Sequence, residues 1–340
     1  MHSLFEKAYG CLAGLALGDA LGMTTEFLTP QQITEHYGWV DSLVSAPPWH
    51  SHARLPRGRI TDDTGQALAL AGVYVREGTM SAEAAARALL RWADEQGEHL
   101  DLFLGPSTRR ALAALRAGAG PRESGREGKT NGAAMRAAPI GIVHPADFDG
   151  ALRDVVEAAL PTHGTRAAIS AAAAVAWAVA EAMRADATVE SVLERAMAGA
   201  VRGREHGAWV WTAPLERRIA LARRLVGEAE DERTALQALY DYVGVDLTVT
   251  ESVPTAFGLV ELAGGDPMRA VIYAANIGGD TDTIGAIAGA VGGALQGIEA
   301  IDGELLRQVE EVNRLGLGQV ATDLAAIAGK FSAQAHSERV

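Results

Sequence analysis

Apolar positions along the chain recur mostly with the helical period, and alternating β-branched runs are scarce. Leu4 to Gly22 reads as a first helix of small apolar residues, with Gly10, Gly14 and Gly18 sharing one face, and Glu26 follows before Pro30, read as a breaker. His36 to Arg59 is irregular, broken by Pro47, Pro48 and Pro56, and reads as a long loop. A stripe through Ala67, Leu68, Ala71 and Val75 predicts a helix to Arg76, closed by Gly78. Amphipathic helices follow over Ser81–Gln96, Pro106–Ala117, Asp147–Leu160 and Val189–Val201, with a polar, glycine-rich loop over Gly118–Gly128. The alanine-rich run Ala167–Met183 reads as a helix buried nearly all round. Further helices are predicted over Leu215–Val226, Thr234–Tyr242, Ser252–Ala263, Asp266–Ala275 and Gly303–Leu315, with a tail after Gly318. Val245–Val249 reads as a short strand or extended coil. Ile284 to Gly297 is almost wholly Gly, Ala, Val, Ile and Leu, which predicts a buried helix with Gly285, Gly289 and Gly293 on one face.

No repeat period and no Pro-, Gly- or Ser-rich linker divides these segments, so they predict one all-α domain over residues 1–330 with a polar tail over 331–340. The 340 residues, 48% hydrophobic with 38 glycines, can build a sizeable core in which helices pack close. The formal net charge of −13 argues against general nucleic-acid binding and leaves room only for a local basic pocket for a small phosphate-containing ligand. The single cysteine, Cys11, has no internal partner, which fits a reducing cytosol, and the expected localisation is cytoplasmic. The first residues are charged too early for a signal sequence, and no apolar run is flanked like a membrane span.

Candidate chemistry concentrates in two short polar clusters. Gly278-Gly279-Asp280-Thr281-Asp282-Thr283 leads into the glycine-rich apolar helix. Thr61-Asp62-Asp63-Thr64 leads into the helix closed by Gly78. Either alone can be read as a helix cap, since Asp and Thr are ordinary capping residues. A cap needs one side-chain oxygen, however, and two carboxylates crowded at a buried helix start repel one another unless a cation neutralises them. Brought together, the two clusters offer enough hard oxygen donors for two Mg²⁺ or Mn²⁺ ions.

Other positions carry two readings each. Asp19, inside an apolar run, is either paired with backbone or Arg groups or part of the site. His50 and His52 are loop histidines or metal ligands. Asn131-Gly132 is a turn, or a loop whose amides and Arg136 meet an anionic ligand or whose Arg136 pairs with a site carboxylate. His163 is a capping residue or a site residue, and Trp209 and Trp211 could stack a base.

Taken in order, Gly18-Asp19-Ala20-Leu21-Gly22 with Glu26, Thr61-Asp62-Asp63-Thr64, Asn131-Gly132-Ala133-Ala134-Met135-Arg136, His163 with its alanine-rich helix, and Gly278-Gly279-Asp280-Thr281-Asp282-Thr283-Ile284-Gly285 resemble the ADP-ribosylglycohydrolase family. The resemblance implies a compact, single-domain orthogonal helical bundle with a central binuclear Mg²⁺ or Mn²⁺ site. It implies that Thr61, Asp62, Asp63 and Asp282 hold one metal, and that Asp280, Asp282 and Thr283 hold the other. Glu26, Asp62 and Asp63 are the implied catalytic groups. Asn131, Gly132, Ala133, Met135 and His163 are implied to line the ADP-ribose cleft. Thr130 stands where many relatives carry Gly, and Arg202–Pro214 has no counterpart in the family pattern; both bear on the leaving group.

The implied activity is metal-dependent hydrolysis at ribose C1 of ADP-ribosylated side chains or O-acyl-ADP-ribose, with an ADP-ribosylated protein or small ribosyl substrate as partner. A metal-dependent ribonucleosidase is the competing enzyme. An inactive ADP-ribose-binding or structural scaffold is the competing non-enzyme.

Overall fold

The structure, a computed structural model, describes the backbone of residues 2–337 and side chains through residue 331. Among the described residues there is no strand; extended backbone meets only at the bridges Thr130–Thr248 and Thr165–Ala208. Val245–Val249 is no strand: it bends at Asp246 and Leu247, bridges through Thr248 and turns at Val249. Helices supply most of the core and form a single domain. No described helix is long and apolar enough to cross a membrane.

Its centre is a pair of helices, Leu4–Gly22 and Thr281–Gln296, both buried along nearly their whole length. They run antiparallel with their glycine faces in contact. A β-carbon added at Gly10, Gly14 or Gly18 would collide with the backbone of Gly293, Gly289 or Gly285 respectively, and one at Gly22 would collide with Thr281 and Asp282. The every-fourth-residue spacing on both helices thus serves one contact, in which two backbones approach as only glycine allows. Lys7 is buried within this pair, where its ammonium donates to the carbonyls of Ala182, Ala294 and Leu295 at 2.8, 3.2 and 3.0 Å.

The alanine-rich helix Arg166–Ala182 is buried on every side, as its composition requires, and Thr165 caps it through the Ala168 amide. Three segments differ from expectation. Pro30 starts a helix, Pro30–Tyr37, because Thr29 and Gln32 form a reciprocal capping box in front of it. The helix expected to stop at Leu160 continues through Pro161 to His163. Its last turn is held from outside, where Ser124 Oγ donates to the Pro161 carbonyl at 2.8 Å and Gly164 N donates to Gly125 O at 2.7 Å. The stretch after Gly318, expected as a tail, is a helix running over Leu317–Ser337. It packs on the N-terminal helix, and positions 338–340 lie outside the described residues.

The glycine contact makes a direct prediction. Gly289→Val should lower unfolding stability in urea by about 3 kcal/mol or more, because the added methyls meet a backbone that cannot yield. Gly303→Ala, in open space at a helix start, should stay within about 0.5 kcal/mol of the parent.

Candidate active site

The glycine pairing delivers the C-terminal end of Leu4–Gly22 to the first turn of Thr281–Gln296. Thr281 Oγ1 donates to the Gly22 carbonyl at 2.8 Å, and Thr25 Oγ1 donates to Ala275 O at 2.9 Å. The loop after Gly22 is then tied to the glycine pair ahead of Asp280. Phe27 N donates to Gly279 O at 2.7 Å and Gly279 N donates to Leu28 O at 2.9 Å. Gly278 and Gly279 take φ values of 86° and 73°, the left-handed region that favours glycine. Glu26 is thereby turned toward Asp280 and Asp282, and carboxylate oxygens of these three residues lie within 4.8 Å of one another.

The second acidic cluster is fixed by Asp19. Its carboxylate accepts hydrogen bonds from Thr61 N at 2.8 Å, Thr64 N at 3.0 Å and Thr64 Oγ1 at 2.5 Å. It thus satisfies amides that the start of helix Asp62–Glu77 would otherwise leave unpaired. Of the two readings of Asp19, pairing with backbone is the one seen, and that pairing clamps the second cluster to the first helix. As a result Thr61 Oγ1 donates to Asp63 Oδ2 at 3.2 Å and to Asp282 Oδ2 at 3.4 Å. The two clusters, far apart in sequence, touch.

Electrostatically the arrangement is unbalanced. Burial, followed by the neighbouring Asp282 charge, pushes Glu26, Asp62, Asp63 and Asp280 well above the ordinary carboxylate range. The same causes push Asp19 up to about 7. Burial also raises Asp282, against the opposing influence of His52. Asp63 Oδ1 is buried and has no hydrogen-bond partner among the described residues. An unpartnered buried carboxylate oxygen beside four further carboxylates and two threonine hydroxyls is a donor set suited to a hard divalent cation.

Behind the carboxylates runs a chain of hydrogen bonds. Gln66 Nε2 donates to Asp62 Oδ2 at 2.8 Å, and Arg136 Nη1 donates to Gln66 Oε1. Arg136 Nη2 also donates to Thr162 Oγ1 at 2.6 Å. His163 continues the chain, with Nδ1 2.8 Å from Thr162 Oγ1 and Nε2 3.0 Å from Thr130 Oγ1. Burial, with Arg136 next, drives the His163 pKa well below its usual value, so the ring is neutral. Arg136 is buried and meets Gln66, so it touches neither an external anion nor a carboxylate directly.

The cleft in front has a volume of about 260 Å³. Asp62, Asp63, Asp280, Asp282 and Thr283 form its floor, with Glu26 at the side. Asn131, Gly132 and Met135 line it, together with Thr130. Asn131 Nδ2 donates to Ser252 Oγ at 2.8 Å and to Asp280 Oδ2, which fixes that carboxylate. Ala133 and His163 do not line the cleft. They sit behind the Thr130–Gly132 wall, where a β-carbon at Gly132 would meet the His163 ring. Larger cavities lie elsewhere on the molecule, but this is the one that contains the carboxylates.

His50 and His52 stand behind Glu26. His52 Nδ1 is 3.4 Å from Glu26 Oε2 and 3.1 Å from Met23 O, and His50 Nε2 is 2.6 Å from Glu26 O. They steady the Glu26 loop, and neither lines the cleft. Phe27, Leu102, Phe103, Leu104, Gly105, Pro106, Thr108 and Leu247 complete the cleft walls and were not anticipated. For Phe27 a signal existed in its position beside Glu26; the others depend on how distant loops fold. Trp209 lines a separate cavity with Arg166, and the exposed Trp211 packs edge to face on it with centroids 4.5 Å apart. They do not stand over the carboxylates, which removes the base-stacking argument for a nucleosidase.

A family model described as ADP-ribosylglycohydrolase matches residues 1–337. An Escherichia coli K12 protein, "Uncharacterized protein YegU", is 38% identical over 323 residues, covering 94% of this chain and 96% of its own. The ADP-ribosylarginine hydrolase Tri1 of Pseudomonas putida GB-1 is 28% identical, covering 89% of this chain and 74% of its own. A solved structure described as an ADP-ribosylglycohydrolase-related protein complex superposes with a TM-score of 0.72 at 28% identity, covering 96% of this chain and all of the other.

The carboxylate cluster makes stability depend on pH. Carboxyls whose pKa is higher folded than unfolded favour the folded state below about pH 4, and that contribution is lost as pH rises through the folded values. For Asp19 the loss extends to about 7. In EDTA the protein should therefore lose ground with rising pH, and the Tm increment given by saturating Mn²⁺ should grow from about pH 5 to about pH 7.5. Calorimetry showing the same increment throughout would contradict this electrostatic picture.

Proposed function

The chain belongs to the ADP-ribosylglycohydrolase family of glycosyl hydrolases, and we propose that it is a divalent-metal-dependent hydrolase cleaving the bond at ribose C1 of ADP-ribosylated substrates, either modified side chains or O-acyl-ADP-ribose. The observation that carries this reading is the meeting of two acidic helix starts in one cleft, with a buried Asp63 oxygen left without a partner. In this reading Thr61, Asp62, Asp63 and Asp282 hold one ion, and Asp280, Asp282 and Thr283 hold a second. The name of the Pseudomonas relative supports an ADP-ribosyl substrate. The lone Cys11, buried and free, fits a cytoplasmic site of action.

Bound cations would supply Lewis-acid charge that orients the ribose diol and acidifies a water. The protein's own groups do the rest. Asp19 and Asn131 hold the carboxylates in place through the hydrogen bonds described above, so the site is positioned before substrate arrives. Glu26 is the acidic group at the side of the cleft, with His52 beside its carboxyl, and it is placed to give a proton to the departing group or take one from water. Asp62 and Asp63 on the floor offer a second proton acceptor. The closely spaced carboxylates stabilise positive charge developing on the ribose as the C1 bond breaks. Thr130, Asn131 and Gly132 form the wall against which the rest of the ADP-ribosyl group lies.

The test is a panel of ADP-ribosyl-arginine peptide, ADP-ribosyl-serine peptide, O-acetyl-ADP-ribose and free nucleosides, incubated with Mn²⁺ and read by mass spectrometry. Release of ADP-ribose from at least one of the first three is expected. Release of base from nucleosides alone would replace this reading with the nucleosidase. Asp282→Ala should lose bound metal and lower turnover by about 100-fold or more. Glu26→Gln should keep its metal and lose about 100-fold in kcat. Full activity with unchanged metal content in Asp282→Ala would contradict the assigned site.

A further inference from the structure

A second cavity, of about 400 Å³, lies against the helix that begins at Asp62, and Thr61 and Gly65 form part of its wall. Its charged lining is three arginines, Arg59, Arg76 and Arg91, against one carboxylate, Glu95. That balance is the reverse of the whole chain, whose net charge is −13. None of the three arginines has an ion-pair partner among the described residues. Acids on the same two helices are engaged by arginines that do not line the cavity: Glu77 pairs with Arg87 at 3.0 Å and Asp94 pairs with Arg116 at 2.6 Å. Arg59 donates to Asn313 Oδ1 at 3.2 Å, a neutral acceptor. Trp92 borders the same space, and its indole N–H, a donor only, forms no hydrogen bond among the described residues.

Arg59 is half-buried and Arg76 and Arg91 are exposed, so all three bring a fixed positive charge to the cavity wall, one that arginine cannot shed by losing a proton. We propose that this cavity is a binding site for a small phosphoryl anion of two or more charges. One carboxylate is satisfied by a single guanidinium fork, whereas a phosphoryl group offers several oxygens to donors arriving from different sides. Arg59, Arg76 and Arg91 come from a loop and two different helices, which suits the second geometry. The site is separate from the carboxylate cleft and of opposite charge, so it stands whether or not the proposed reaction is correct. Thr61 lines this cavity and donates to Asp63 and Asp282 of the cleft, which places the anion directly behind the start of the acid-bearing helix.

Inorganic pyrophosphate is the probe, titrated calorimetrically into the full chain in EDTA, where no cation can draw an anion to the acidic cleft. One pyrophosphate per chain should bind, and more weakly as salt rises. The double variant Arg76→Gln/Arg91→Gln should weaken binding at least about tenfold while retaining the parent's helical circular dichroism and Mn²⁺ content. Arg166→Gln, altered in a different cavity, should bind as the parent does. Citrate should bind more weakly than pyrophosphate. Absence of binding to the parent, or equal affinity in the double variant, would overturn the site. Citrate binding as tightly as pyrophosphate would overturn the phosphoryl assignment.

Discussion

Backbone contact between the glycine faces of Leu4–Gly22 and Thr281–Gln296 is what the cleft rests on. Side chains normally hold helices 8–10 Å apart, and removing them at matched positions lets the two axes close up and fixes their register. That register sets Gly22 against Thr281 and Asp282. It also places Asp19 within reach of the Thr61 and Thr64 amides. One contact between the ends of the chain thereby positions both acidic clusters.

The consequence is a concentration of negative charge that the fold alone does not neutralise. Arg136, a cation close behind it, acts on Asp62 through Gln66. Asp63 has an oxygen with no partner among the described residues, and burial raises every carboxyl in the group. Under the proposed function, a bound cation would offset that repulsion and add to stability by linkage. The hydrogen-bond chain from Asp62 to Thr130 ties the wall of the cleft to its floor, with His163 as a neutral link rather than a surface group.

The helical class, the two acidic helix starts and both glycine faces were legible because each is a local pattern with one physical meaning. The glycine spacing in each helix announced a close approach, although not which helix approached which. Asp19 could be read as a paired carboxylate or as part of the site, and its partners, the amides at the start of another helix, belong to a segment far along the chain. Pro30 and Pro161 misled because a breaker's effect depends on its surroundings: a capping box turned the first into a helix start, and outside partners for the last turn carried a helix past the second. His163, Ala133, Trp209 and Trp211 show the main limit. Sequence places a residue on a segment, and only packing decides whether it faces the cleft, lies behind its wall or borders another cavity.

Diffraction from crystals soaked in Mn²⁺, with anomalous maps recorded at the manganese edge, tests the central claim most directly. The account predicts two peaks between Asp62–Asp63 and Asp280–Asp282, with Asp282 in contact with both. Manganese found only at surface carboxylates, with those aspartates bare at saturating Mn²⁺, would contradict it.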